Sequence, residues 1–340
     1  MTIATIFGCA GPALGDDEAA FFREAQPWGF ILFGRNIGNP DQVRRLVRDL
    51  RATVGRHDAP VLVDQEGGRV ARLGAPHWRA YPPARAFARL AADDPTLACE
   101  MAWLGARLIA HDLHALGINV DCAPVLDVPA PGAHDIIGDR AYGDGPDLVA
   151  LLGRVTAEGL MAGGVAPVIK HIPGHGRALA DSHLELPAVE ADITELEAMD
   201  FAPFRALADA PMAMTAHVVF RAIDPERPAT VSPIVIGEVI RDRIGFSGLL
   251  MTDDLSMRAL GGTFAERTVA SLEAGCDVVL HCNGDPREMA EVAAAARPLA
   301  GESAVRASAA LERVAAEPES FDQGSARRRF DAAFDMRFAA

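Results

Sequence analysis

The sequence predicts one α/β domain closed into a (β/α)8 barrel of the TIM type. Three observations predict it. Eight short apolar runs recur along the chain, most of them separated by helical patterns. Six of these runs end on polar or ionisable residues, where barrels of this kind carry their functional groups. Neither GxxxxGK[ST] nor a strand followed by GxGxxG occurs, so the fingerprints of an open nucleotide-binding sheet are missing. Repeated alternation of strand and helix implies a parallel sheet, and strands apolar on both faces imply burial on both sides.

The expected strands span residues 3–9, 29–33, 60–64, 118–121, 165–170, 212–217, 248–253 and 277–282. The helical segments between them start and stop on local signals. Residues 41–51 follow Pro40, and residues 96–116 stop at Gly117. Thr194 opens 194–208 as an N-cap, with Glu197 at the capping-box spacing. Ser232 precedes 233–243, Gly275 closes 264–274, and Asp285 precedes 286–296. After a linker-like stretch at 317–325, Phe330, Phe334 and Phe338 recur at i, i+4 and i+8, as in a helix that packs back on its own domain. One catalytic domain over 1–340, with a helical tail at 318–340, is the expected organisation.

With 50% hydrophobic and 23% charged residues, the composition is that of a soluble globular protein with a full core. A net charge of −15, with no basic stripe apart from Arg327, Arg328 and Arg329, argues against a nucleic-acid partner. The five cysteines are odd in number, distant and without a CxxC pair, which excludes a disulfide framework or zinc ribbon and suits the reducing cytoplasm. Residues 1–10 carry no basic residue, and no run approaches 18 apolar residues. Neither a leader nor a membrane span is therefore expected. A monomer is the favoured state.

Of 32 lysines and arginines only Lys170 is lysine, and it opens Lys170-His171-Ile172-Pro173-Gly174-His175-Gly176. A compact ammonium kept in an arginine-rich background points to a tight polar site. Asp181 and His183 follow shortly after. Pro173 and Gly174 break any helix, so His171 and His175 are not the i, i+4 zinc pair of a helical site, and no metal or other cofactor is expected. At the seventh strand's end stand Asp253 and Asp254. Alternation along a strand aims only one of them into the barrel mouth, leaving the other for a helix N-cap. Asp64, Glu66, Gly67, Gly68, Arg69 and Arg72 form a tight turn able to offer a carboxylate to hydroxyls and an arginine to a carboxylate. Asp139 and Arg140 repeat that pattern more weakly, and either set also suits a structural ion pair. His111 and His114, on a long amphipathic segment, read as surface or packing residues. A carboxylate at a barrel mouth, a carboxylate for hydroxyls and a proton-transferring imidazole together suit retaining glycoside hydrolysis. An imidazole with an ordinary pKa near about 6.5 serves as acid and base at neutral pH without a carboxylic acid's need for burial.

The run from Lys170 to Gly176 with Asp181-Ser182-His183, preceded by Asp64-Gln65-Glu66-Gly67-Gly68-Arg69-Val70 and followed by Thr252-Asp253-Asp254-Leu255-Ser256-Met257, resembles the β-N-acetylhexosaminidase branch of glycoside hydrolase family 3. The resemblance includes Leu32-Phe33-Gly34-Arg35-Asn36 and Ala123-Pro124-Val125-Leu126-Asp127-Val128, and reaches roughly residue 283. It implies a bacterial cytosolic enzyme of peptidoglycan recycling that removes N-acetylglucosamine from 1,6-anhydro-N-acetylmuramoyl sugars or peptides. It also implies Asp253 as nucleophile, His183 as acid/base with Asp181 orienting it, and Asp64, Arg72, Arg140, Lys170 and His171 as the residues that hold the sugar. Ile172 stands where Phe is usual and Gln65 where His is frequent, neither at a catalytic position. The β-glucosidase branch takes its acid from a second domain, for which no room is expected after the eighth strand. Three other functions use the same residues differently: a phosphorylase, whose imidazole tolerates an incoming phosphate; a metal-dependent barrel hydrolase built on His171, His175 and an Asp; and a non-catalytic muropeptide sensor.

Overall fold

The computed structural model describes residues 1–178, 182, 186–314 and 317–334. Its centre is a closed barrel of eight strands: β1 (Ile3–Gly8), β2 (Pro27–Leu32), β3 (Val61–Val63), β4 (Val120–Asp121), β5 (Ala166–Ile172), β6 (Met212–Thr215), β7 (Leu249–Asp254) and β8 (Val278–His281). Each strand pairs in parallel with its neighbours in the sequence, and β8 closes on β1 with Phe7 opposite His281. The expected (β/α)8 barrel is thus the observed one. Every residue of β2, β3, β4, β5, β6 and β8 is buried, as both-face burial requires.

The helices owe their limits to local chemistry. α1 (Asp16–Ala25) precedes β2, and α2 (Pro40–Val54) starts where the Asn39 side chain accepts from Gln42 N, with Pro40 in the first turn. α3 (Ala84–Asp93) leads into α4 (Pro95–His114), capped by Asp94. α5 (Pro146–Ala162) precedes β5. The helix expected at 194–208 is two, α6 (Ile193–Ala198) and α7 (Phe201–Ala206), and its cap is Asp192, which accepts from Glu195 N, rather than Thr194. Pro203 accounts for the break. Inside one continuous helix it would remove a backbone bond, whereas in α7 it falls in the first turn, where its missing N–H is not needed. Residues Val235–Arg243 wind as a π-helix, with Ile244 N donating to Val239 O at 2.8 Å. α8 (Phe264–Ala274) carries a full capping box of Thr263 and Glu266 and ends on Gly275 at φ +117°. α9 (Pro286–Ala295) and α10 (Gly301–Val314) complete the ring.

α11 (Gln323–Phe334) returns onto α3 and α4. Phe330 is fully buried, 6.1 Å from the Tyr81 ring and 6.3 Å from that of Phe87, and Phe334 lies 5.1 Å from Phe87. A Cβ on Gly105 of α4 would come within 2.8 Å of the Phe330 ring, which explains a glycine in mid-helix. Burying that ring stabilises the fold by about 1.5–3 kcal/mol. Phe338, the third residue of the stripe, lies outside the described residues. Phe7 of β1, Phe22 of α1 and Phe30 of β2 pack ring on ring.

Candidate active site

The ends of β3, β5, β7 and β8 surround a cavity of about 200 Å³ at the barrel mouth, bordered among others by Asp64, Arg72, Arg140, Lys170, His171 and Asp253. Six of the eight residues implicated from sequence therefore meet at one place. The other two, Asp181 and His183, lie outside the described residues.

A chain of ion pairs lines one wall. Lys170 Nζ is 2.9 Å from Asp64 Oδ1 and 2.6 Å from Glu66 Oε1. Arg72 holds Asp64 Oδ2 at 2.9 Å, and Arg140 grips both oxygens of Glu66 at 2.8 and 2.9 Å. Burial alone would push both carboxyls up, but Lys170 with Arg72, and Lys170 with Arg140, hold Asp64 and Glu66 below the usual carboxylate range. Lys170 is likewise held firmly protonated by the two carboxylates against its own burial. Three cations face two carboxylates here, so the wall keeps donors to spare for a ligand.

Sequence alternation would send Lys170 and His171 to opposite faces, yet both border the cavity. The ladder between β5 and β6 shifts register between Lys170 and Ile172, and such a bulge re-aims a side chain. His171 Nδ1 lies 2.7 Å from Asp127 Oδ2, which leaves its other ring nitrogen for a ligand. The other Asp127 oxygen accepts from the backbone of His171 and His175, at 3.2 and 2.6 Å. In the sequence Asp127 stands out only as part of the run at 123–128; its role of fixing His171 depends on a contact 44 residues away. Glu66, likewise, was only a neighbour of Asp64 in the turn. Gly176 supports this layer by close approach, because a Cβ there would sit 2.0 Å from Val128 O.

A second register shift, between Met251 and Asp254, brings both aspartates of β7 to the cavity edge, so the expectation that only one reaches the mouth is corrected. Their chemistry still separates them. Asp254 is committed: it accepts from Ser256 N at 3.0 Å, from the Ser256 hydroxyl and from Cys282 N at 3.1 Å, tying β7 to the end of β8. Among the described residues Asp253 accepts one protein bond, from Asp254 N at 2.8 Å. Burial tends to raise its pKa, but His217, His171, the Asp254 amide and Lys170 together keep it below the usual value. Burial pushes the His217 pKa down, and its Nε2 carries a proton because that atom donates to Asp254 O at 3.1 Å. The arrangement is therefore an ionised, half-buried carboxylate bordering a cavity that is also lined by the paired charges of Asp64, Arg72, Arg140 and Lys170.

Among the described residues no three His, Cys, Asp or Glu side chains converge as a metal site. No helix among them is long and apolar enough to cross a membrane. His111 stands on α4 beside Phe321, 6.4 Å between rings, in keeping with packing.

The family model for the glycosyl hydrolase family 3 N-terminal domain matches residues 13–316. A β-hexosaminidase of Methylococcus capsulatus is 41% identical over 283 residues, covering 82% of each chain. Among solved structures, native NagZ from Neisseria gonorrhoeae superposes with a TM-score of 0.87 at 32% identity over 98% of both chains, as does its complex with N-trifluoroacetyl-D-glucosamine. A glycoside hydrolase family 3 β-N-acetylglucosaminidase from Paenibacillus sp. str. FPU-7 has a TM-score of 0.81 at 33% identity; the chain spans 62% of that longer protein, which covers 99% of this one.

Proposed function

The chain belongs to glycosyl hydrolase family 3 and is a β-hexosaminidase of that family, and on that premise we propose how and on what it acts. It removes terminal β-linked N-acetylglucosamine with retention, its natural substrates being 1,6-anhydro-N-acetylmuramoyl sugars or peptides of cell-wall recycling. Asp253 attacks the anomeric carbon from one face while His183 gives a proton to the departing glycosidic oxygen, so the C–O bond breaks as the glycosyl-aspartate ester forms. His183, now neutral, then takes a proton from water as that water attacks the same carbon and frees the Asp253 carboxylate. Asp181 orients the imidazole. Asp64 accepts from sugar hydroxyls, while Arg72, Arg140, Lys170 and His171 supply donors or hold those that do.

The observation that carries this reading is the contrast between two adjacent carboxylates. Asp254 is used up by Ser256 and Cys282, whereas Asp253 is ionised, borders the cavity and, among the described residues, accepts only from the Asp254 amide. The whole chain acts as one catalytic barrel domain with its helical tail folded against it, as a monomer in the cytoplasm; five unpaired cysteines support that compartment. The first-formed sugar should be the β-anomer, seen by NMR before mutarotation. Free sugar should be released equally with and without phosphate, and dialysis against a strong chelator should leave the rate unchanged. An α-anomer, or a sugar 1-phosphate, would contradict the proposal.

A further inference from the structure

We propose that His175 is a positioning residue, its bond to Ser182 fixing the middle of the Asp181-Ser182-His183 triplet against the Asp127–His171 pair; this rests on the acid/base reading above. His175 and Ser182 are both buried, at 3% and 2% exposure. The His175 backbone N–H donates to Asp127 Oδ1 at 2.6 Å, and Asp127 Oδ2 holds the His171 ring at 2.7 Å. The His175 ring then meets the His171 ring edge-on, 5.7 Å between centroids, and places Nε2 3.1 Å from Ser182 Oγ. Ser182 is tied on a second side, since its carbonyl accepts from Ala259 N at 3.3 Å, just beyond the β7 end that carries Asp253. One residue is thus pinned both to the sugar-binding side and to the nucleophile side of the mouth. Ser182 is the chain neighbour of both Asp181 and His183, the residues assigned above to proton transfer.

Packing alone does not account for the histidine. Its Nδ1 is buried with no hydrogen-bond partner among the described residues, and an unpaired buried polar atom is a cost that an apolar side chain would avoid. Burial, with His171 nearby, pushes its pKa down to about 4, so the ring is neutral and its bond to the hydroxyl is undisturbed at neutral pH. The pair therefore passes the position of His171, which is set by Asp127, to the segment that delivers the proton.

The test uses His175→Phe, His175→Gln and Ser182→Ala in the full chain, with His183→Ala as reference, on aryl N-acetylglucosaminides of graded leaving-group acidity. His175→Phe and Ser182→Ala should each lose about 10- to 100-fold in kcat/KM on the poorest leaving groups, a fraction of what full general acid catalysis supplies. On the most acidic phenol they should lose no more than about twofold, and the double variant should be no worse than either single one. His175→Gln, whose amide reaches where Nε2 stood, should recover most of the loss. An equal loss on all leaving groups, no loss, or additive effects would overturn the proposal. A flat profile for His183→Ala would remove the acid/base reading and the proposal together. A steep His183→Ala profile beside a flat Ser182→Ala profile would remove the proposal alone.

Discussion

Both ends of this barrel bury carboxylates among cations, but only one end leaves them something to do. At the floor, Asp277 just before β8 accepts from Ser303 Oγ at 2.7 Å, Leu250 N at 2.9 Å, Arg241 at 2.9 Å and Arg306 at 3.0 Å. Every lone pair is taken, and the result is a clamp of α10 and the π-helix onto the strands. At the mouth, Asp64 and Glu66 share Lys170, Arg72 and Arg140 beside a cavity of about 200 Å³. A buried ion pair is in itself no evidence of function. Unfilled volume next to surplus donors is what separates a binding wall from a clamp.

The sharpest way to break the comparison is to remove a cation from each end. Lys170→Met leaves Asp64 and Glu66 short of their shared partner at the mouth, where the sugar is proposed to bind. It should lower kcat/KM by about 10²-fold or more, the scale of losing a preorganised charged donor. It should also destabilise the fold by about 3–5 kcal/mol, as expected when one partner of a buried pair is deleted. At the floor, Arg306→Met should lower the melting temperature while kcat/KM per folded molecule stays within about twofold, because nothing there faces substrate. Comparable losses of activity from both variants would mean that the two networks do not differ in kind.

Acid distinguishes the networks next. Asp64 and Glu66 have folded pKa values below their unfolded ones, so their stabilisation is complete above about pH 4–5 and disappears as pH falls through the folded values. Lys170→Met should flatten that acid limb of a melting-temperature profile, and an unchanged limb would count against the assignment.

The smallest effect concerns Asp121, at the end of β4 behind the mouth. Its Oδ1 accepts from Gln65 N at 2.9 Å, but Oδ2 has no partner among the described residues, and burial pushes the pKa up to about 7. Here the sign reverses. The folded state holds the proton longer than the unfolded one, so stability falls as pH rises from about 4 to 7. Asp121→Asn should melt higher than the parent at pH 8 and lose that advantage near pH 4; a constant difference across the range would refute the shift.

The fold was readable because it is written in local terms. Eight apolar runs, six of them ending in polar or ionisable residues, appear as eight barrel strands, and Lys170, singled out by an arginine-rich background, stands at the centre of the ion-pair wall. What the sequence hid depends on three-dimensional register. The bulges at His171 and before Asp254 overrule the alternation of side chains, and no residue type announces them. Nothing local marks Asp127 as the residue that fixes His171, since that partner lies 44 residues on. The break between α6 and α7 is legible in principle, because Pro203 lies inside the expected helix.

The central claim is that Asp253, not Asp254, forms the bond to the sugar. Its most direct test is to incubate Asp253→Ala and Asp254→Asn with an activated aryl β-N-acetylglucosaminide, with and without azide. Asp253→Ala should lose about 10³-fold or more of its turnover and, with azide, yield the α-glycosyl azide, while Asp254→Asn keeps turning over to the free β-sugar. An active Asp253→Ala, or an azide-rescued Asp254 variant in its place, would contradict the account.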